Sequence, residues 1–90
     1  MSAALKEIAG LADKLRAKSA ALGPGDLAAR AAVYAIPPHH HREGIDRAAL
    51  WPGPLAELKP LDRGDALRVA VAYLLIEIER LEQPAEAAAA

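Results

Sequence analysis

Three consecutive histidines, His39, His40 and His41, form the densest group of potential metal ligands in the sequence, and Glu43 and Asp46 follow closely. Imidazole and carboxylate together suit zinc, nickel or copper. Neighbouring residues in a loop point in different directions, so we expect His39, His41 and Glu43 to converge and His40 to face elsewhere. A closed zinc site needs about four ligands, and the chain has no further histidine. The pattern therefore indicates an incomplete metal site, with a solvated polar loop as the alternative.

Other catalytic combinations lack a member. The chain contains no Cys, and its two serines, Ser2 and Ser19, fall in the first predicted helix. A nucleophile activated by a histidine therefore has no suitable candidate. The carboxylates Asp62 and Asp65 match the cap and first turn of a helix better than an acid–base pair. We expect no enzyme, or at most a non-catalytic subunit of an enzyme complex.

The charge balance and the apolar pattern argue against nucleic acid and membrane as partners. The formal net charge is −1, whereas nucleic-acid-binding domains usually carry a basic face. A helix-turn-helix over residues 26–51 would have a long, proline-rich linker, and Arg47 alone could read base edges. The longest apolar run, Val69 to Ile76, is far shorter than the roughly 20 residues that span a bilayer. The absence of Cys and of an apolar leader segment predicts a cytoplasmic protein.

Capping residues and prolines predict two long helices and one short helix. Ser2 can cap a helix over about 3–22, which Gly23-Pro24-Gly25 ends. Asp62 can cap the longest helix, over about 63–83, and Asp65 resembles the second member of a capping box. These signals predict an all-α small helical bundle.

A shorter helix and a proline-rich connection separate the two long helices. Asp26 is expected to cap the short helix, over about 27–35, and Pro37 to end it. The connection that follows has room for one or two single-turn helices. We expect residues 1–84 to form a single helical domain and the Ala-rich residues 85–90 to be a frayed or disordered tail.

Apolar residues form stripes on both long helices at the three-and-four spacing of an amphipathic helix. The stripe of the first helix is Leu5, Ile8, Ala12, Leu15, Ser19 and Leu22. The last helix carries two stripes. The heptad stripe is Leu67, Val71, Leu74, Ile78 and Leu81, and the short stripe is Val69, Tyr73 and Ile76. A helix that is apolar on most sides is normally buried on most sides.

The first helix can cover only one of the two stripes of the last helix, and the sequence does not decide which residues cover the other. Residues of the middle section can cover part of it: Leu27, Val33, Tyr34, Ile36, Leu50, Trp51, Leu55 and Leu58. We leave the cover of the short stripe open. Leu74 is expected where the two packing surfaces meet, so that Leu74→Asp would be the most disruptive single change.

The surplus of apolar surface predicts a protein–protein interaction module, either a homodimer or an accessory subunit of a larger protein. A single-chain core that hides all of this surface is the alternative. Trp51 is expected to be a lid on the core with its indole N–H bonded to a carbonyl, or an interface anchor. A metal-binding or metal-delivery protein and a DNA-binding regulator are the remaining hypotheses. The interface set is Trp51 together with Leu67, Val69, Val71, Tyr73, Leu74, Ile76, Ile78 and Leu81.

Overall fold

The computed structural model describes residues 2–23, 25–37 and 47–82, and all regular structure in this part of the chain is helical. The elements are α1 (Ala3–Lys18), α2 (Asp26–Ala35), α3 (Arg47–Leu50), a 3₁₀ turn (Leu55–Glu57) and α4 (Arg63–Glu82). The all-α prediction is confirmed, and the two single turns lie in the proline-rich connection as expected. The predicted tail, residues 85–90, lies outside the described residues.

Two predicted caps begin the two long helices. The Leu5 backbone N–H donates to Ser2 Oγ at 3.2 Å, and the Asp65 N–H donates to Asp62 Oδ1 at 2.7 Å. Each bond satisfies one of the four amides that a helix start leaves without a partner. The predicted end of α1 is wrong by one turn, because the helix ends at Lys18 and Ser19 is its C-cap.

The prediction that Asp26 is the N-cap of α2 is also wrong. Gly25 occupies that position with a φ of 85°, and Asp26 is the first helical residue. The Asp26 carboxylate instead accepts from the Gly23 N–H at 2.9 Å. A glycine tolerates this left-handed backbone, so the chain turns sharply at Gly25 and α2 starts one residue early.

The core lies where α1 and α2 pack on α4, which makes α4 the central helix. The inner face of α4 is rich in small residues, and it carries the short stripe. Its members are Ala66, Val69, Ala70, Ala72, Tyr73 and Ile76. From α1, Ala12 is buried and Ile8, Leu11 and Leu15 pack around it. Small side chains let helices approach closely but bury little apolar area each.

The structure answers which stripe of α4 is covered by its own chain. The short stripe lies in the core, with Tyr73 and Ile76 buried. The heptad stripe points away from α1 and α2. The prediction for Leu74 is therefore corrected, because this side chain is 43% exposed and does not lie where two packing surfaces of the described residues meet.

All three aromatic residues of the chain surround one buried arginine. The Arg30 guanidinium lies 4.4 Å from the Trp51 ring centroid, and both Nε and Nη2 donate to the Pro52 carbonyl, at 3.1 and 3.0 Å. Nη2 also donates to Glu57 Oε1 at 3.0 Å. The Trp51 indole N–H donates to the Pro54 carbonyl at 3.0 Å, as expected for a core lid.

Gly53 is required beside this arginine. Its φ is 98°, and a Cβ added there would lie 2.6 Å from Arg30 Nη2. Most of the Arg30 hydrogen bonds end on the 52–57 segment, so the arginine fixes the proline-rich connection to α2. Tyr34 meets Trp51 edge-on, with 5.4 Å between ring centroids, and stacks on Tyr73 at 6.2 Å. This cluster therefore joins α2, the proline-rich connection and α4.

Candidate interaction surface

The heptad stripe forms a row of large aliphatic side chains on the outer face of α4. Its five members are between 41% and 67% exposed. The row extends for 14 residues, or about 21 Å at 1.5 Å per residue. Alternating spacings of four and three place apolar residues along one seam, the pattern by which helices pair in coiled coils. Exposed apolar patches of this kind usually mark an interaction surface.

Arginines at both ends of α4 fix the orientation of this surface. Arg80 donates to the carbonyl oxygens of Ser19, at 2.7 Å, and Leu22, at 3.1 Å. Arg63 donates to the carbonyl of Ala35 at 2.7 Å. The last carbonyls of a helix lack partners and carry a partial negative charge. Arginines of α4 therefore bind the C-terminal ends of α1 and α2, and this holds the inner face of α4 against them.

A third contact fixes the last turn of α1 to the last turns of α4. Arg16 Nε and Nη2 donate to the two carboxylate oxygens of Glu79 at 2.9 and 2.8 Å. Arg16 also pairs with Asp13. The hydrogen bond from Arg16 lowers the pKa of Glu79, although partial desolvation opposes it. This two-pronged geometry fixes rotation about the α4 axis, and with it the outward direction of the heptad stripe.

The residues that flank the heptad stripe divide by charge. Heptad spacing places six residues beside the seam: Arg63, Arg68, Ala70, Leu75, Glu77 and Glu82. The first two are basic, the middle two are apolar and the last two are acidic. Flanking residues of this kind set partner choice and orientation in paired helices. These flanking residues were not predicted from the sequence, although the heptad spacing of the stripe was sufficient to identify them.

The nine residues predicted for the interface separate into two groups. Five of them form the exposed heptad stripe. The other four are Trp51, Val69, Tyr73 and Ile76, which are buried or half-buried against their own chain. Trp51 is only 6% exposed, with Arg30 over its ring and its indole N–H bonded to the Pro54 carbonyl, so it offers a partner no anchor. The candidate surface therefore narrows to the heptad stripe and its flanks.

Two further candidate sites carry less support. A cleft of about 430 Å³ lies between α1, α2 and α4, with Arg30 and Tyr73 among its lining residues. Burial of the guanidinium lowers the pKa of Arg30, but hydrogen bonds to Tyr73 and Glu57 outweigh it, and the pKa is raised. Arg30 Nη2 already donates to Glu57 and to the Pro52 carbonyl. These contacts give the arginine a structural role.

The predicted metal ligands His39, His41 and Glu43 lie outside the described residues, so the metal site remains a prediction. Within residues 2–23, 25–37 and 47–82, no three His, Cys, Asp or Glu side chains are grouped closely enough to hold a metal ion. In the same part of the chain, no helix combines the length and apolar character that crossing a bilayer requires.

Comparison with known proteins adds no relative: no protein-family model, no curated protein and no solved structure matches this chain.

Proposed function

We propose that this chain is a small helical interaction module that associates with a second copy of itself through the outer face of α4. The observation that carries the proposal is the exposed heptad stripe. Most of the large aliphatic side chains of α4 lie on its outer face, whereas the buried inner face contains three alanines with Tyr73 and Ile76. A chain that used α4 only to build its own core would be expected to bury these side chains.

A second copy is the favoured occupant because the surface is complementary to itself. A stripe with heptad spacing can interdigitate with an identical stripe. The two ends of the stripe are flanked by opposite charges, Arg63 and Arg68 at one end and Glu77 and Glu82 at the other. Symmetric self-contacts are also the commonest form of soluble assembly. The absence of Cys suits a cytoplasmic setting, which we include in the proposal.

The free energy available to a dimer is moderate. Complete burial of a Leu, Ile or Val side chain contributes about 1.5–3 kcal/mol, and the members of the stripe are roughly half exposed. Covering the stripe on both copies offers roughly 8–15 kcal/mol, against an association cost of about 4–15 kcal/mol. The surplus is therefore at most about 11 kcal/mol, and a dissociation constant of about 1 μM requires about 8 kcal/mol, so we expect association in the micromolar range or weaker.

Sedimentation equilibrium from low to high micromolar concentration tests the proposal. The apparent mass of the wild type should rise from the 9.5 kDa of one chain toward twice that value. Leu74→Asp should stay monomeric, because it places a charge in the middle of the seam. Leu55→Asp is the matched control, since Leu55 is 59% exposed but lies outside α4. A wild type that remains monomeric, or a control that weakens association as much as Leu74→Asp, would overturn the proposal.

A further inference from the structure

The charge along the α4 flanks changes sign from one end of the heptad stripe to the other. Residues 63–69 contain Arg63, Asp65 and Arg68, which gives a net charge of +1. Residues 77–82 contain Glu77, Glu79, Arg80 and Glu82, which gives −2. The helix dipole adds partial charges of the same signs, positive at the N-terminus and negative at the C-terminus. The C-terminal end of the surface is therefore negative, whereas the N-terminal end carries the basic flanks Arg63 and Arg68 and the positive end of the helix dipole, with Asp62 at its cap.

We infer that the two copies pair with their α4 helices antiparallel, about a two-fold axis near Leu74. This inference rests on the proposed self-association. Leu74 lies seven residues from both Leu67 and Leu81, so an antiparallel pair brings Leu67 to the level of Leu81 of the partner subunit. The basic end of each helix then meets the acidic end of the other. A parallel pair would instead place like charges and like dipole ends side by side.

The acidic flanking residues are available for this contact, whereas the basic ones already make contacts within the chain. Glu77 and Glu82 make no ion pair or hydrogen bond through their side chains within the described part of the chain. Arg63 donates to the neutral carbonyls of Tyr34 and Ala35, so its charge is not cancelled there. Arg68 pairs with Glu7 at 2.8 Å and with Asp65 at 3.6 Å, so its charge contributes less. Among the described residues, Glu79 is neutralised by Arg16, whereas Glu77 and Glu82 have no partner that neutralises them.

Single cysteines report the orientation directly, because the natural chain contains none. We would prepare Leu67→Cys, Leu74→Cys and Leu81→Cys, give one variant a mass tag, and treat each alone and in mixtures with a short bismaleimide. In an antiparallel pair, identical residues at position 67 are separated by about 21 Å along the axis. In a parallel pair they face each other at the helix spacing of about 8–10 Å.

The antiparallel pair predicts a cross-linked heterodimer from the mixture of Leu67→Cys and Leu81→Cys, with little product from either variant alone. Leu74→Cys should cross-link alone in both orientations, since it lies at the centre of the stripe. Cross-linking of Leu67→Cys and of Leu81→Cys alone, without the heterodimer, would overturn the antiparallel arrangement while leaving self-association intact. Failure of all variants to cross-link, Leu74→Cys included, would overturn the self-association itself.

Charge reversal supplies an independent test. In the antiparallel pair, Glu77→Arg/Glu82→Arg turns attraction into repulsion, and we expect the dissociation constant to rise by roughly tenfold at low salt. In a parallel pair, the same change exchanges one set of facing like charges for another and should leave the constant unchanged. Circular dichroism of the dilute double variant checks that the fold is retained. An unchanged constant in a folded variant would contradict the antiparallel arrangement.

Discussion

In an ordinary amphipathic helix the large apolar side chains face the core, whereas in α4 most of them lie on the outer face. The inner face contains Ala66, Ala70 and Ala72 with only two large buried side chains, Tyr73 and Ile76. The outer face carries the five Leu, Val and Ile residues of the heptad stripe. Alanine allows α1 and α2 to approach closely, but it gives less free energy of burial than leucine. The helix thus packs on its own chain largely through small residues and leaves larger ones exposed, which in the proposed dimer contact the second copy.

A charge placed on the inner face of α4 should destabilise the fold, whereas a charge on the outer face should not. This contrast is the largest effect that we predict. Ile76→Asp puts an unpaired charge in the core and should cost more than about 4 kcal/mol, enough to unfold much of the population. Leu74→Asp should keep the helical content and the melting temperature of the dilute monomer, because its side chain meets solvent. Circular dichroism melts at low concentration measure both. Unfolding of dilute Leu74→Asp would show that the outer face belongs to the core.

The second prediction concerns the arginine that supports the inner face through Tyr73. Arg30 Nη1 lies 3.4 Å from the Tyr73 hydroxyl, and the remaining bonds hold Pro52 and Glu57. Arg30→Leu keeps apolar volume but leaves the Pro52 carbonyl without its donors, and should lower the free energy of unfolding by about 2–4 kcal/mol. Urea denaturation measures the loss. Glu57→Gln retains an acceptor for Nη2 and is the milder control; equal losses would contradict the importance of the carbonyl contact.

Substitutions at two glycines should change the free energy of unfolding by smaller amounts, one lowering it and the other raising it. Gly53 has a left-handed backbone, and a Cβ at this position would displace Arg30 Nη2. Gly53→Ala should therefore lower the free energy of unfolding by about 1–3 kcal/mol. Gly10→Ala adds a Cβ in α1 that meets nothing within 4 Å, and it should stabilise the helix by about 0.8–1 kcal/mol. Thermal melts of both dilute variants test this. Neither residue lies on α4, so the outer face should be unaffected, and a stabilising Gly53→Ala would contradict the Arg30 packing.

The smallest effect is expected at the edge between the two faces, where Glu79 pairs with Arg16. The hydrogen bond from Arg16 lowers the pKa of Glu79 below its ordinary value of 4.5. A carboxyl whose pKa is lower in the folded state stabilises the fold above the unfolded pKa. That stability is lost as the pH falls through the folded pKa. Glu79→Gln should therefore make the urea midpoint decline less between about pH 5 and pH 3 than in the wild type. Identical declines would contradict the pairing.

Much of the fold could be predicted from local signals. Ser2 and Asp62 are caps whose side chains act within three residues, so the sequence alone identifies them. The prediction that Asp26 is the N-cap of α2 was wrong because Gly25, with a positive φ, occupies the cap. Sequence spacing does not decide between two neighbouring cap residues. Apolar periodicity correctly predicted which residues of α4 share a face.

Which face of α4 turns inward could not be predicted in the same way. Both stripes are apolar, and the choice depends on distant contacts. Arg80 at the carbonyls of Ser19 and Leu22, and Arg16 at Glu79, fix the rotation of α4 across about 60 residues of sequence. The burial of Arg30 was also missed, because a charged residue on a short helix normally indicates exposure. The three aromatic residues around it were the available signal.

The most direct test of the central claim is the reactivity of a thiol placed on each surface as the protein concentration rises. Leu74→Cys should be modified rapidly by a water-soluble thiol reagent in dilute protein and progressively more slowly at high micromolar concentration, because the second copy covers it. Leu55→Cys, exposed but outside α4, should react at one rate throughout. A modification rate of Leu74→Cys that does not change with concentration would contradict the claim that the outer face of α4 binds a second copy.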